Sequence, residues 1–377
     1  MSEIKNKQNV SRLAFESFSR RNFLGTVAGV AAMAASGTFA QGSPAMNSNR
    51  SSRVPLGFDG HSMRAMKWKA PQFIEFAAEQ NLDAVLINNL PLFESLEEPY
   101  LRGLKERADE CGLQIYMGAG SICENGGGFN DRYGDAETFL AEGIRVAEIV
   151  GSPVVTVRIG NLNDRYLDGG IRPRMDSCVT VLKALKTRAL DAGIKFGFEN
   201  HGGDLRSEEV LDIIKEVGPD VCGSMLDPGN SVWVMEDPMK QVQMLGEHVV
   251  CTSIRDYMVW ESEEGATFQW TAVGDGLMDV PAYVQHLATL CPGVPLFVES
   301  ISNSARPIPF LTEDWWAGFP DVRAADIVDF LALCRRGNAI DIDLLPEGMD
   351  QKLFDQQHQR TEFVKSIGCL RQCGAGQ

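Results

Sequence analysis

The sequence predicts an α/β chain whose main body is a single (β/α)8 barrel, and three observations predict it. Strand-like apolar runs and helix-like segments alternate eight times between residues 54 and 338. A single helix separates each strand from the next. This makes the strands parallel, because a crossover helix returns the chain to the same edge. The alternative, a doubly wound open sheet, calls for a glycine-rich phosphate turn after the first strand, and none is there.

Residues 1–40 stand outside this pattern. Ser19-Arg20-Arg21-Asn22-Phe23-Leu24 precedes a weakly hydrophobic Gly/Ala-rich run that ends near Thr38-Phe39-Ala40. That is the layout of a twin-arginine export signal. Residues 41–53 are rich in Ser, Asn and Gly and read as a flexible lead-in. The barrel is expected over 54–338. Val54 to Gly60 is strand-like and ends at His61. Ala70–Gln80 is helical, Asp83–Asn88 is a strand, and Pro99–Cys111 is a helix with its proline in the first turn. Leu113–Gly118 is a strand. Ala136–Val150 is a helix stopped by Gly151, and Pro153–Ile159 is a strand. Met175–Ala192, Ser207–Val217, Pro238–Glu247, Val280–Leu290 and Val322–Arg336 are the later helices. The strands between them end near Glu199, Asp227, Ile254 and Glu299. Residues 339–377 form a C-terminal extension whose helix, Met349–Leu370, braces the barrel or a partner subunit.

Composition narrows the function. A chain of 377 residues, 44% hydrophobic, has ample material for one large barrel. A net charge of -16 repels phosphate backbones, so no nucleic-acid partner is expected. No stretch beyond the signal is long and apolar enough to span a bilayer, so no stable membrane insertion after export is expected. The nine cysteines are scattered without a Cys-x-x-Cys and do not read as a disulfide framework. Cys222 and Cys251 fall in strands as buried small residues, and Cys369 and Cys373 read as free thiols. The expected protein is soluble and periplasmic or otherwise exported through the twin-arginine route, with a homo-oligomer left open.

Three strand ends carry carboxylates. Ile194 to Phe198 runs into Glu199-Asn200-His201-Gly202-Gly203. Ser224-Met225-Leu226 runs into Asp227-Pro228-Gly229-Asn230, and Leu296-Phe297-Val298 runs into Glu299. In a (β/α)8 barrel these strand ends converge on one mouth. Connections 256–279 and 301–321 are longer than a barrel needs and are expected as lids. Phe310, Trp315 and Trp316 stand in the second of them either as walls for a sugar ring or as rim packing.

With Phe198-Glu199-Asn200-His201, Leu226-Asp227-Pro228-Gly229-Asn230, Ser253-Ile254-Arg255-Asp256-Tyr257, Val273-Gly274-Asp275-Gly276 and Phe297-Val298-Glu299 in this order, the chain resembles the xylose isomerase-like TIM-barrel superfamily. That group includes sugar phosphate isomerases and epimerases and the family 2 AP endonucleases. The resemblance implies one divalent metal, held in ketose 3-epimerase relatives by Glu, Asp, His and Glu. Carried over, the ligands are Glu199, Asp227 and Glu299, with Ser253 where the histidine is expected. An oxygen-rich set of this kind suits Mn or Mg better than Zn. His201 shares the side of Glu199 in continued strand geometry, as a ligand, a substrate contact or an ordinary hydrogen-bonded histidine.

The implied chemistry is proton abstraction beside a sugar carbonyl, with Glu199 and Glu299 as catalytic carboxylates on different sides of the sugar. His61, Arg158, His201, Asn230 and Arg255 are candidate substrate contacts, and Arg255 and Asp256 are a candidate pair. An exported enzyme points to a non-phosphorylated, neutral sugar as substrate. The leading reading is an isomerase or epimerase, and the runner-up is a lyase on 3-keto-glycosides. A non-catalytic sugar-binding barrel is the reading from another class. A DNA-repair nuclease needs a histidine-rich site, and this chain has five histidines.

Overall fold

The computed structural model describes residues 53–376. The export signal expected over 1–40 and the lead-in up to residue 52 lie outside the described residues. In chain order the elements are β1 (Leu56–Asp59), α1 (Ala70–Glu79), β2 (Ala84–Ile87), α2 (Glu98–Glu110), β3 (Gln114–Ser121), α3 (Ala136–Val150), β4 (Val154–Arg158), α4 (Arg172–Asp191) and β5 (Lys195–Glu199). There follow α5 (Ser207–Val217), β6 (Cys222–Leu226), α6 (Pro228–Trp233), α7 (Pro238–Leu245), β7 (Val249–Thr252), β8 (Asp256–Ser262), β9 (Gly265–Thr271), α8 (Val280–Leu290) and β10 (Leu296–Val298). The chain ends with β11 (Ala305–Ile308), α9 (Glu313–Trp316), α10 (Val328–Arg336) and α11 (Gln351–Gln372).

Eight parallel strands form one sheet in the order β10-β1-β2-β3-β4-β5-β6-β7. Its two edges meet where the Ile254 amide donates to the Phe297 carbonyl (2.6 Å) and the Glu299 amide to the Ile254 carbonyl (3.1 Å). The sheet is therefore a closed barrel. Strand periodicity divides its apolar residues between two cores. On β2, Ala84 and Leu86 join Tyr116, Met225 and Phe297 inside the barrel, while Val85 and Ile87 face the helices. Gly57 makes room inside: a Cβ there would lie 2.4 Å from the Phe297 ring. Helix α3 ends as its sequence suggests, with Gly151 in the left-handed region (φ 72°).

The two long connections are not loops. Strands β8, β9 and β11 form a separate antiparallel sheet in the order β11-β9-β8. Its β8 end is anchored by Asp256, whose carboxylate accepts the amides of Tyr257 (2.7 Å), Gly274 (3.0 Å), Gly276 (3.1 Å) and Met278 (3.1 Å). Asp256 does not pair with Arg255, which corrects the expected pairing. The Val-Gly-Asp-Gly motif is explained by this cage, since a Cβ at Gly276 would meet the Asp256 carboxylate at 2.2 Å.

The outer layer also differs from expectation. Helix α10, within the predicted Val322–Arg336 segment, packs on β8 rather than on the last barrel strand. A Cβ at Gly337 would lie 1.7 Å from the Val259 carbonyl, so the chain leaves α10 pressed against that strand. The C-terminal helix α11 covers the β1–β10 side instead. Its Phe363 is fully buried and meets Phe58 and Phe76 at ring distances of 5.1 and 5.4 Å. Gly376 then donates to the Val54 carbonyl (2.9 Å). Phe363→Ala is expected to destabilise the fold by about 3–5 kcal/mol, from lost transfer energy and the cavity left behind. Urea unfolding checks it; a change within about 0.5 kcal/mol, the range for surface positions, would mean that α11 is an appendage.

All nine cysteines are free thiols, and Cys222 and Cys251 are buried. Among the described residues no helix is long and apolar enough to cross a membrane.

Candidate active site

At the strand ends, Glu199, Asp227 and Glu299 come together. Each offers a carboxylate oxygen, and these oxygens lie within 4.8 Å of one another in a buried group. Local sequence explains how each is held. Asp227 caps α6, accepting the amide of Asn230 (3.0 Å) and its side-chain Nδ2 (2.8 Å). Pro228 sits in the first turn of that helix, where no amide donor is needed. Asn200 pins the Asp227 backbone from β5: its Nδ2 donates to the Asp227 carbonyl (2.8 Å), and its Oδ1 accepts the Asp227 amide (3.1 Å). Glu299 accepts the Ser253 hydroxyl (2.6 Å). Glu199 differs from both. Its nearest cation is Arg158 Nη1 at 3.9 Å, too long for a hydrogen bond.

Arg255 stands between Asp227 and Glu299. Its Nε lies 3.2 and 3.1 Å from the two oxygens of Asp227. Its Nη2 contacts Asp227 Oδ2 and lies 2.5 Å from Glu299 Oε2. The guanidinium stacks on Trp270, 4.4 Å from the ring centre. Nη1 is buried without a hydrogen-bond partner among the described residues, as is Asn230 Oδ1. Burial disfavours the charged guanidinium, but Asp227 and Glu299 more than offset that and hold it protonated.

Burial also opposes the ionised form of Glu299, yet Arg255, His61 and the Ser253 hydroxyl pull its pKa down to about 2. Glu199 goes the other way. Burial raises it well above the ordinary 4.5; Arg158 opposes this, and Glu299 and Asp227 add to it. One carboxylate is thus a fixed anion and the other binds a proton readily.

His201 is not part of the carboxylate group. Its Nδ1 lies 2.5 Å from the Gly160 carbonyl, which can only accept, so Nδ1 carries the proton and Nε2 keeps its lone pair. Burial and Arg158 depress its pKa to about 3, so the ring is neutral. The two glycines after it take the left-handed region (φ 55° and 82°), turning the chain so that the His201 amide reaches Asp204 (2.7 Å). His61 does not end β1. That strand stops at Asp59, and His61 lies in the 3-10 segment Gly60–Met66.

A cavity of about 520 Å³ opens over this floor, and His61, Arg158, Glu199, His201, Asn230, Arg255 and Glu299 all line it. Sequence reasoning missed several of its neighbours. Asp59 accepts the His61 amide and Asn88 Nδ2, both at 2.8 Å. Trp233, Trp270 and Arg306 form the wall, with Arg306 stacked 4.1 Å from Trp270 and 5.2 Å from Trp233. The expected aromatics sit elsewhere. Trp315 stacks on Phe319 and directs its Nε1 at Met235 Sδ, Trp316 donates to the Phe310 carbonyl, and Phe310 packs on Phe330. They are rim packing, not cavity wall.

The family model described as xylose isomerase-like TIM barrel matches residues 72–314. The chain belongs to that family. Among curated relatives it is 22% identical, over 56% of its length and 70% of theirs, to a 3-oxo-isoapionate decarboxylase from Pectobacterium atrosepticum. Among solved structures it is similar in fold to a D-psicose 3-epimerase from Clostridium cellulolyticum. The identity is 15%, the TM-score 0.52, and the match covers 84% of this chain and 99% of that one. It is likewise similar in fold to IolI protein with a bound zinc atom, at 14% identity and TM-score 0.51, over 76% of this chain and all of that one.

Membership of the xylose isomerase-like family raises the question of a metal. The three carboxylates are grouped as ligands that could hold one. A small divalent ion lies about 2.1 Å from its oxygens. An ion that close to Asp227 Oδ2 and Glu299 Oε2 would overlap Arg255 Nη2, which touches both. With Arg255 in this position the ion does not fit.

Proposed function

We propose that this xylose isomerase-like barrel transfers a proton at a carbon beside the carbonyl of a non-phosphorylated keto sugar. The observation that carries the reading is the unequal pair of carboxylates: among the described residues Glu199 has no hydrogen-bond donor on it, while Glu299 is tied to Ser253 and Arg255. Glu199 takes the proton, and the C–H electron pair becomes an enediolate. Arg158, which lines the same cavity with its Nη1 3.9 Å from Glu199, holds the developing oxyanion. His201, neutral with Nε2 free, accepts from a substrate hydroxyl. Glu199 then returns the proton to the neighbouring carbon, while the hydroxyl proton held against His201 Nε2 passes to the former carbonyl oxygen, so that the enediolate closes to the isomeric carbonyl. One mobile carboxylate favours isomerisation over two-base epimerisation. The manganese or magnesium ion expected from the sequence has no part in these steps, because Arg255 stands where it would bind.

A second reading is a lyase: either the enediolate expels a glycoside's aglycone from the next carbon, or a 3-keto acid loses carbon dioxide and its C–C electron pair becomes the enediolate. It draws on a curated relative whose name describes removal of a carboxyl group from a 3-oxo sugar acid. Arg64 and Arg306, at the cavity wall, have no carboxylate partner among the described residues, so a substrate bearing a carboxylate suits them. We keep export by residues 1–40 as part of the proposal, since it removes sugar phosphates from consideration. Incubation with free ketoses, 3-keto-glycosides and 3-keto sugar acids, followed by chromatography, tests it. An aldose or epimer supports the isomerase, and a released aglycone or carbon dioxide supports the lyase. Tight sugar binding with no product from any of them would leave a non-catalytic sugar-binding barrel.

A further inference from the structure

We propose that Arg255 is the resident cation of this barrel mouth, a built-in replacement for the divalent ion that the fold family implies. The proposal is independent of the reaction above, since it concerns what neutralises Asp227 and Glu299. Three features show a place made for an arginine.

The first is the pairing itself. One buried guanidinium contacts both carboxylates: it donates charge-assisted hydrogen bonds to Asp227 from Nε and Nη2, and its Nη2 makes an ion pair with Glu299. The second is the slot that holds the side chain. Trp270 covers the guanidinium face at 4.4 Å, and its Nε1 donates to the Gly229 carbonyl (2.9 Å), locking the ring. Gly229 clears the stem: a Cβ there would lie 2.6 Å from Arg255 Cγ and 2.8 Å from Trp270 Cδ1. The glycine of Leu-Asp-Pro-Gly-Asn is thus required by Arg255. The third is Ser253, two residues before Arg255 and on the same side of the chain. It spends its hydroxyl on Glu299 Oε2 and so supports the anion that Arg255 meets.

The consequence is a site whose charge is balanced covalently. A guanidinium cannot be removed by a chelator, and it offers directional donors in place of open coordination positions. Its Nη1 is buried and has no hydrogen-bond partner among the described residues.

The test is manganese binding, followed by electron paramagnetic resonance of free Mn after dialysis against chelator, with thermal unfolding alongside. Wild-type protein is expected to hold under about one tenth of an equivalent and to melt at the same temperature with and without Mn, because no ligand binds the native state selectively. The double variant Ser253→His/Arg255→Met vacates the place and adds a nitrogen ligand. It is expected to bind about one equivalent and to melt several degrees higher with Mn. A full equivalent in the wild-type protein would overturn the proposal, whatever the variant does. So would a folded double variant that ignores Mn, because the carboxylates would then not be a cation site. Should that variant not fold, Arg255→Lys keeps the charge and is expected to bind no Mn; uptake by it would contradict the proposal.

Discussion

Glu199→Gln is expected to lower turnover by about 10²–10⁴-fold, the usual contribution of a positioned acid–base group. The substitution keeps shape and polarity and removes the proton-carrying oxygen. Because Glu199 receives no hydrogen bond from the described residues, little packing is lost. Stability is expected to move the opposite way. The folded-state pKa of Glu199 is raised, chiefly by burial. Between the ordinary value of 4.5 and that raised value, the native state keeps a proton that the unfolded chain has lost. This part of wild-type stability is therefore present at low pH and falls as pH rises through that window. Glutamine does not titrate, so the variant's stability relative to wild type should grow with rising pH. Urea unfolding at several pH values reads this directly. A variant that loses both activity and stability at every pH would make Glu199 a structural residue.

Asp227→Ala is expected to cost about 3–5 kcal/mol, the loss seen when one partner of a buried ion pair is removed. Arg255 would keep only Glu299, with its Nε and part of its Nη2 contact stranded in a buried site. The same change uncaps α6, where Asp227 accepts the Asn230 amide, adding about 1 kcal/mol. Total stabilities of about 5–15 kcal/mol make this a large fraction. Asp227→Asn keeps the cap and the shape and should lose less. Equal losses in the two variants would show that the charge on Asp227 does not matter.

The barrel and the carboxylate group were legible for a simple reason. Strand ends that turn from apolar to charged, with glycine-stopped helices between them, are local patterns, and parallel closure follows from them. The role of Arg255 was not legible, because its partners lie 28 and 44 residues away. Nothing in Ser253-Ile254-Arg255-Asp256 distinguishes an arginine turned to Asp227 from one paired with its neighbour. Asp59 and Asn88 are single polar residues at strand ends and carry no motif. The hairpin of β8 and β9 did leave a signal. Two runs rich in aromatic and β-branched residues, Tyr257-Met258-Val259-Trp260 and Ala266-Thr267-Phe268-Gln269-Trp270, flank the Glu263-Glu264-Gly265 turn, which reads as paired strands. Helix α11 hides its role for another reason. Phe363, Ile367 and Leu370 are buried on a helix where other apolar residues, such as Leu353 and Val364, are exposed, and only the fold shows which of them cover β1.

The most direct test of the site's chemistry is solvent deuterium exchange. Wild-type protein and Glu199→Gln are incubated with a keto sugar in deuterated water, and the recovered sugar is read by proton NMR. Proton transfer through Glu199 predicts deuterium at the carbon beside the carbonyl with wild type and its loss in the variant. Exchange retained in Glu199→Gln, or turnover by wild type with no solvent deuterium in substrate or product, would contradict the account.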